Sequence, residues 1–136
     1  MDRTLVIVKP DGVARHLIGE IISRIERKGL SIVAADLRTI DAASAARHYA
    51  EHVDKPYYGP LVEFITGGPS FVMVVEGPSD TWKMVRGLMG ATDSREAAPG
   101  TIRGDLGSDL RQNLIHGSDS LASALREIEI FFPSLD

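Results

Sequence analysis

Two continuous apolar runs predict buried β-strands, one in each half of the chain. Leu5-Val6-Ile7-Val8 completes a strand over residues 3–8, and Phe-Val-Met-Val-Val at residues 71–75 forms another. Neither run alternates with polar residues, so both strands are expected to lie in the core. A further strand is predicted over residues 30–40, and a short edge strand over residues 113–116.

Helical periodicity is clearest after the first strand. Lys9-Pro10-Asp11-Gly12 predicts a turn there. Apolar residues then recur at intervals of three and four, with charged residues between them: Leu17, Ile18, Ile21, Ile22 and Ile25. This spacing predicts a helix with one buried and one wet face. Gly29 stands where a left-handed cap would end that helix.

Capping residues predict four further helices. The first of these helices is expected to start at Asp41 and run through residue 51. The second is expected to start at Pro60 and end at Gly67-Gly68. The last two are expected to start at Ser79 or Asp80, and at Ser120. The inward stripe of the last helix is predicted as Leu121, Ala124, Leu125, Ile128 and Phe132. Residues 90–112 lack periodicity, which predicts a long loop that is functional or hides a further element.

Strands that alternate with helical segments favour an α+β or α/β sandwich, with helices packed on a sheet. The split βαβ arrangement, a ferredoxin-like βαββαβ sandwich with a four-stranded antiparallel sheet, fits the order best. No linker or repeat divides the 136 residues, so a single domain over 1–136 is predicted.

Composition narrows the function classes. The net charge of −4 disfavours broad binding to nucleic-acid phosphates, and the absence of cysteine excludes disulfides and a cysteine-based zinc site. No apolar run is long enough for a signal peptide or a membrane span. The sequence therefore predicts a soluble protein of a reducing compartment, with no membrane association.

The densest polar segment covers residues 113–120, at a strand end and a helix start. A neutral imidazole such as that of His116 is a competent nucleophile toward phosphorus. Gly117 would let a phosphate approach, and the helix start offers free N–H groups. The alternative is a histidine with satisfied hydrogen bonds in a turn. From the residues of this segment alone, that alternative is favoured.

Three cations would favour His116 as a nucleophile over the satisfied turn histidine if the sheet brings them near His116. They are Lys9, Arg86 and Arg103, and each taken alone reads as a solvated surface charge. His48 and His52 have the i,i+4 spacing of a metal-chelating pair, but no third ligand lies nearby in the sequence. The favoured interpretation of that pair is that both are polar residues at a helix end.

Three segments together resemble the nucleoside diphosphate kinase family: Lys9-Pro10-Asp11-Gly12, residues 99–105 (Pro-Gly-Thr-Ile-Arg-Gly-Asp) and residues 113–120 (Asn-Leu-Ile-His-Gly-Ser-Asp-Ser). The resemblance covers essentially the whole chain. It implies a ferredoxin-like core and ping-pong transfer of the γ-phosphoryl group between nucleoside triphosphates and diphosphates. Mg²⁺ would be held mainly by the nucleotide, so no protein ligand is assigned.

The resemblance also implies roles for individual residues. His116 matches the phosphorylated histidine, Glu127 the carboxylate that holds its other ring nitrogen, and Ser118 a hydroxyl that supports both. Positions that contact phosphate or ribose are matched by Lys9, Tyr49, Arg86, Thr92, Arg103 and Asn113. The base-clamping positions are matched by Tyr57 and Leu61, and an apolar position beside the base by Leu110.

One departure from the family concerns assembly. Ser94 stands where many members carry proline, and the loss of that rigidity is expected to loosen subunit contacts. The resemblance implies a cytoplasmic homo-oligomer, with a hexamer favoured over a tetramer, and no specific nucleic-acid partner.

Two alternatives belong to other function classes. A nucleic-acid-binding ferredoxin-like domain would need exposed aromatics and a basic sheet face, and Phe71 is the only aromatic in the predicted strands. A catalytically silent nucleotide sensor is disfavoured because Lys9, His116 and Glu127 are all present.

Overall fold

A computed structural model describes all residues, 1–136. Its sheet has four antiparallel strands in the order β2-β3-β1-β4. The strands are β1 (Asp2–Val8), β2 (Ser31–Arg38), β3 (Ser70–Gly77) and β4 (Ile115–Gly117). The helices are α1 (Pro10–Ala14), α2 (Ile18–Arg27), α3 (Ala42–His48), α4 (Tyr58–Thr66), α5 (Thr81–Met89), α6 (Ile102–Leu106) and α7 (Leu121–Phe131). The predicted ferredoxin-like βαββαβ order is confirmed by β1, α2, β2, β3, α5 and β4.

Helices cover both faces of the sheet, which explains the unbroken apolar runs. On β1, Val6 and Val8 face a core that α2 and α5 complete. Leu5 and Ile7 face a second core, to which α3, α4 and α7 contribute. The face carrying Phe71 is therefore packed against helices and offers no open platform for nucleic-acid bases.

The C-terminus of α2 is built as predicted. Gly29 has φ +91°, and its N–H donates to the carbonyl of Glu26 while the N–H of Leu30 donates to that of Ile25. This pair of bonds is a Schellman motif, which satisfies carbonyls at the helix end. Asp41 and Ser120 also act as N-caps, through bonds from the N–H groups of Ser44 and Ser123.

Two local predictions were wrong, and for residues 90–112 the structure confirms one of the two predicted possibilities, a further element. The segment after β1 is the start of α1 and not an isolated turn, because Pro10 at the first helical position suits a helix start. Asp80 precedes α5 in a left-handed conformation, and neither it nor Ser79 caps the helix with its side chain. The loop over residues 90–112 contains α6, which Thr101 caps through a bond from the N–H of Gly104.

The predicted inward stripe of α7 was also wrong in part. Leu121 and Leu125 are exposed, whereas Ala124, Glu127 and Phe131 are buried. The buried face therefore carries a carboxylate, which the apolar periodicity does not reveal. None of the helices combines the length and apolar character needed to cross a bilayer.

Candidate active site

Strand β4 and helix α7 bring His116 and Glu127 together. Nε2 of His116 lies 2.8 Å from Oε1 of Glu127. Because an ionised carboxylate can only accept, Nε2 is assigned the proton and donates it, which leaves Nδ1 with a free lone pair. The structure therefore selects the tautomer in which Nδ1 is the nucleophilic ring nitrogen.

Ser118 holds the same carboxylate from the strand side. Its Oγ donates to Oε1 of Glu127 over 2.8 Å and accepts from the backbone N–H of Leu5 on the adjacent strand. Ser118 is fully buried and Glu127 nearly so. Two donors therefore fix the carboxylate before any substrate is present.

The charge of Glu127 is maintained despite its burial. Burial alone would raise the pKa of the Glu127 carboxyl, but the hydrogen bond and the charge of His116 hold that pKa below its usual value, with help from the hydroxyl of Ser118. Arg126 lies 3.7 Å from Oε2 of Glu127. The carboxylate is thus ionised at neutral pH and able to hold the imidazole proton.

Lys9 stands at the end of β1, almost wholly buried, with Nζ donating to Oδ1 of Asn113 over 2.8 Å. Burial lowers the pKa of Lys9 to about 8; repulsion from Arg103 adds to the shift and Asp11 opposes it. This cation lacks a bonded carboxylate, so an incoming phosphate is its natural counter-charge.

Arg103 is buried and braces the walls of the site. Its guanidinium donates to the carbonyl oxygens of Gly90, Asn113 and Ile115. Burial, together with the charge of Arg86, lowers the pKa of Arg103 to about 10, so it remains a cation at neutral pH. The predicted phosphate contact by Arg103 is still a prediction.

Arg86 reaches from α5 to the end of β4, where its Nη1 donates to the carbonyl of Gly117 over 3.0 Å. It lines the same cleft as His116; we call this the histidine cleft, and its walls also include His48, Tyr49, Asp119, Arg126 and Glu127. Burial raises the pKa of Tyr49 to about 12, as does the charge of Glu127, so its hydroxyl is a neutral donor.

A second cleft adjoins the first across His52, which lines both. We call it the tyrosine cleft, and its walls are Lys9, His52, Tyr57, Leu61, Thr92, Leu110, Arg111 and Asn113. Its volume is about 330 Å³, against about 180 Å³ for the histidine cleft. The structure thus brings the predicted base-clamping residues together beside Lys9.

Asn113 fastens the loop that forms the outer wall of the tyrosine cleft. Its side-chain amide donates to the carbonyls of Thr92 and Leu110, while its Oδ1 accepts from Lys9. The side chain of Asn113 therefore links the buried ammonium group of Lys9 to the backbone at both Thr92 and Leu110.

His48 was missed as a site residue. His48 lies at the end of α3, as predicted, but it is 5% exposed and packs against His116. His52 does not join it and instead bonds the hydroxyl of Tyr57 through Nδ1. Ligand atoms of His48, His116 and Glu127 lie within 4.8 Å of one another, so this trio could hold a metal by distance. A metal there would displace the proton shared by His116 and Glu127.

Comparison of the sequence with models of known protein families shows which family the chain belongs to. The model described as nucleoside diphosphate kinase matches residues 2–136. The chain belongs to the nucleoside diphosphate kinase family. A nucleoside diphosphate kinase of Thermobifida fusca is 62% identical over 135 residues, covering 99% of each chain. One from Mycobacterium leprae is 58% identical, covering 98% of each.

Solved structures of the nucleoside diphosphate kinase family share this fold. A halophilic nucleoside diphosphate kinase from Halobacterium salinarum, solved in complex with CDP, is 54% identical with a TM-score of 0.94. The match covers 99% of this chain and 91% of that one. The nucleic-acid-binding alternative is not supported by these relatives.

Proposed function

We propose that this nucleoside diphosphate kinase family member moves the γ-phosphoryl group of a nucleoside triphosphate to a nucleoside diphosphate through a phosphohistidine on Nδ1 of His116. The observation that carries this is the 2.8 Å bond between Nε2 of His116 and Glu127, which reserves Nδ1 for phosphorus. The family membership of the whole chain supports the same substrates.

In the first half-reaction the Nδ1 lone pair attacks the γ-phosphorus, the bond from phosphorus to the β,γ-bridging oxygen breaks, and the nucleoside diphosphate leaves with the electron pair. In the second, a terminal oxygen of another nucleoside diphosphate attacks the phosphohistidine, and the phosphorus–nitrogen bond breaks. The proton stays on Nε2, hydrogen-bonded to Glu127, throughout both steps. The phosphorylated ring can therefore leave as a neutral imidazole.

Charge stabilisation comes from fixed cations. Phosphoryl transfer spreads negative charge over the equatorial oxygens, and preorganised donors stabilise that charge at little reorganisation cost. Lys9, Arg86 and Arg103 would supply it, with Tyr49 and Thr92 as hydroxyl donors. Arg86 and Tyr49 already line the histidine cleft.

The nucleoside would occupy the tyrosine cleft. Tyr57 and Leu61 would hold the base on its faces, Leu110 would lie beside it, and Asn113 would contact the ribose. An aromatic face stacks on any base, which suits a kinase that accepts several nucleotides.

We expect Mg²⁺ to enter this site bound to the nucleotide. The tyrosine cleft, where Lys9 would meet the phosphates, has no carboxylate in its lining. We therefore assign the ion no protein ligand. When carried in by the nucleotide, Mg²⁺ would supply positive charge that neutralises the charge developing on the phosphates.

A labelling experiment tests this function. Incubation with γ-³²P-ATP followed by denaturation is expected to give an alkali-stable, acid-labile label on the wild-type protein and none on His116→Ala. Equal labelling of both proteins would rule out His116 as the nucleophile.

We further propose a cytoplasmic single-domain subunit that assembles into a homo-oligomer, with a hexamer favoured over a tetramer. One observation supports assembly. Strand β2 has a free edge and an exposed Leu37. Light scattering coupled to size exclusion measures the subunit number, and a monomer at micromolar concentration would refute assembly. Whether Ser94 loosens the contacts remains a prediction, which Ser94→Pro addresses by the same measurement.

A further inference from the structure

His48 is the one buried histidine of the four, and the transfer steps above give it no task. It occupies the last turn of α3, with its ring centroid 4.6 Å from that of His116 and the two planes at 83°. On another side the ring of Phe131 lies 5.5 Å away. The nucleophilic ring therefore rests against a ring that is itself backed by the core.

The ring of His48 gains little stability from its polar atoms. Burial lowers the pKa of His48 to about 3, and the neighbouring His116 adds to the shift, so His48 is neutral at physiological pH. Its Nδ1 is buried without a hydrogen-bond partner. An unsatisfied buried polar atom costs about 1–3 kcal/mol, which an apolar side chain in the same space would avoid. Stability alone therefore does not account for an imidazole at this position.

His116 needs a second constraint beyond its hydrogen bond. The contact with Glu127 fixes which nitrogen carries the proton, but it touches the ring at one point only. Small tilts of the imidazole plane keep Nε2 within reach of Glu127 while they re-aim Nδ1. In-line attack requires the Nδ1 lone pair to point at phosphorus, and misplacement by about 1 Å can cost roughly 100-fold in rate.

We propose that His48 is a positioning residue, whose flat ring, packed perpendicular to that of His116, sets the plane of the nucleophilic imidazole. Glu127 holds one atom of that imidazole, and His48 restrains its tilt. The inference rests on the proposed phosphohistidine function and adds a residue to it. It predicts that His48 controls the rate of phosphorylation and leaves nucleotide affinity unchanged.

The test compares His48→Ala, which removes the wall, with His48→Phe, which restores a flat ring. The rate of phosphohistidine formation is measured by rapid quench with saturating ATP, and ADP affinity by calorimetry. We expect His48→Ala to slow formation by roughly tenfold to 100-fold, the range that misaligned attack produces. His48→Phe should recover to within about threefold of the wild type, and ADP affinity should stay within about twofold in both.

Two controls keep the result interpretable. His16→Asn removes an exposed histidine with φ +61°, a conformation that asparagine tolerates, and should match the wild type. If His48→Ala does not fold, His48→Leu fills the space without a flat ring and takes its place.

The proposal is overturned if the ring-less variant phosphorylates at the wild-type rate, if Phe is as slow as Ala, or if the loss lies in ADP affinity. A wild-type protein that forms no phosphohistidine would instead refute the proposed function itself.

Discussion

The side chains around the reacting histidine and those assigned to the nucleotide base differ in how firmly they are held. In the histidine cleft, Glu127 accepts from both His116 and Ser118, and Ser118 is itself bonded to β1. In the tyrosine cleft, the only side-chain bond of Tyr57 goes to His52, and Leu110 is 45% exposed. Atoms that react need one fixed geometry, whereas a site for several bases needs a surface without directional demands.

Removing Glu127 should disrupt the histidine cleft, and we expect it to have the largest effect on activity of the changes considered. Glu127→Ala takes away the acceptor that fixes the His116 tautomer, and it removes the carboxylate to which the buried hydroxyl of Ser118 donates. We expect kcat to fall by about 100-fold or more, as when the carboxylate that orients a catalytic histidine is lost. Steady-state assays with ATP and a second nucleoside diphosphate measure this.

Glu129→Ala is the matched control, because Glu129 is an exposed carboxylate on the same helix. It should retain wild-type kcat. A Glu127→Ala protein that is folded and as active as Glu129→Ala would show that the tautomer is set in some other way.

Lys9 lines the tyrosine cleft, and its protonation predicts a pH dependence. Because burial and Arg103 lower the pKa of Lys9 to about 8, the free enzyme loses this cation as the pH rises through that value. We therefore expect kcat/KM to be level between pH 7 and 8 and to fall about tenfold per pH unit above pH 8, since kcat/KM reports the free enzyme. Bound phosphates favour the charged amine, so the decline in kcat should begin at higher pH.

Lys9→Met lacks the titrating group and is the reference for this profile. Its kcat/KM should be lower at neutral pH and level between pH 7 and 9. A wild-type profile that stays level to pH 9.5, or a Lys9→Met profile that keeps the decline, would assign the alkaline limb to another group.

The sequence predicted only part of the arrangement that holds the side chains of the histidine cleft in place. Apolar runs predicted β1 and β3, and the segment over residues 113–120 indicated His116 through its resemblance to the family. Periodicity nevertheless placed Leu121 and Leu125 inward on α7, where the structure buries Glu127. An inward carboxylate has its partners eleven and nine residues away on another element, and no local pattern reports such a contact.

His48 was hidden for a related reason. Its spacing from His52 is that of a chelating pair on one helix, but α3 ends at His48 and a separate turn over Ala50–His52 follows. The two rings therefore have different partners: His48 packs against His116, and His52 bonds Tyr57. Helix α6 was missed because its five residues are too few to show a period, and its start depends on the Thr101 cap.

Removing the aromatic face of the tyrosine cleft should give the smallest effect and sharpen the contrast between the clefts. Tyr57→Ala loses base stacking, which contributes about 1–3 kcal/mol per base where the base is enclosed. Tyr57 is only part-buried, so the lower end of that range applies, about fivefold in KM. Because the reacting atoms are untouched, kcat should be unchanged, and steady-state titrations with several nucleoside diphosphates separate the two constants.

Tyr57→Phe is the paired variant, because it keeps the face and removes only the hydroxyl bonded to His52. Its KM should stay within about twofold of the wild type for every base, since stacking does not depend on that hydroxyl. Should Tyr57→Phe instead lower kcat, or discriminate sharply between bases, the bond to His52 would be transmitting order into the histidine cleft. The two clefts would then be one mechanical unit, and the tolerance of the tyrosine cleft would need a source other than its loose construction.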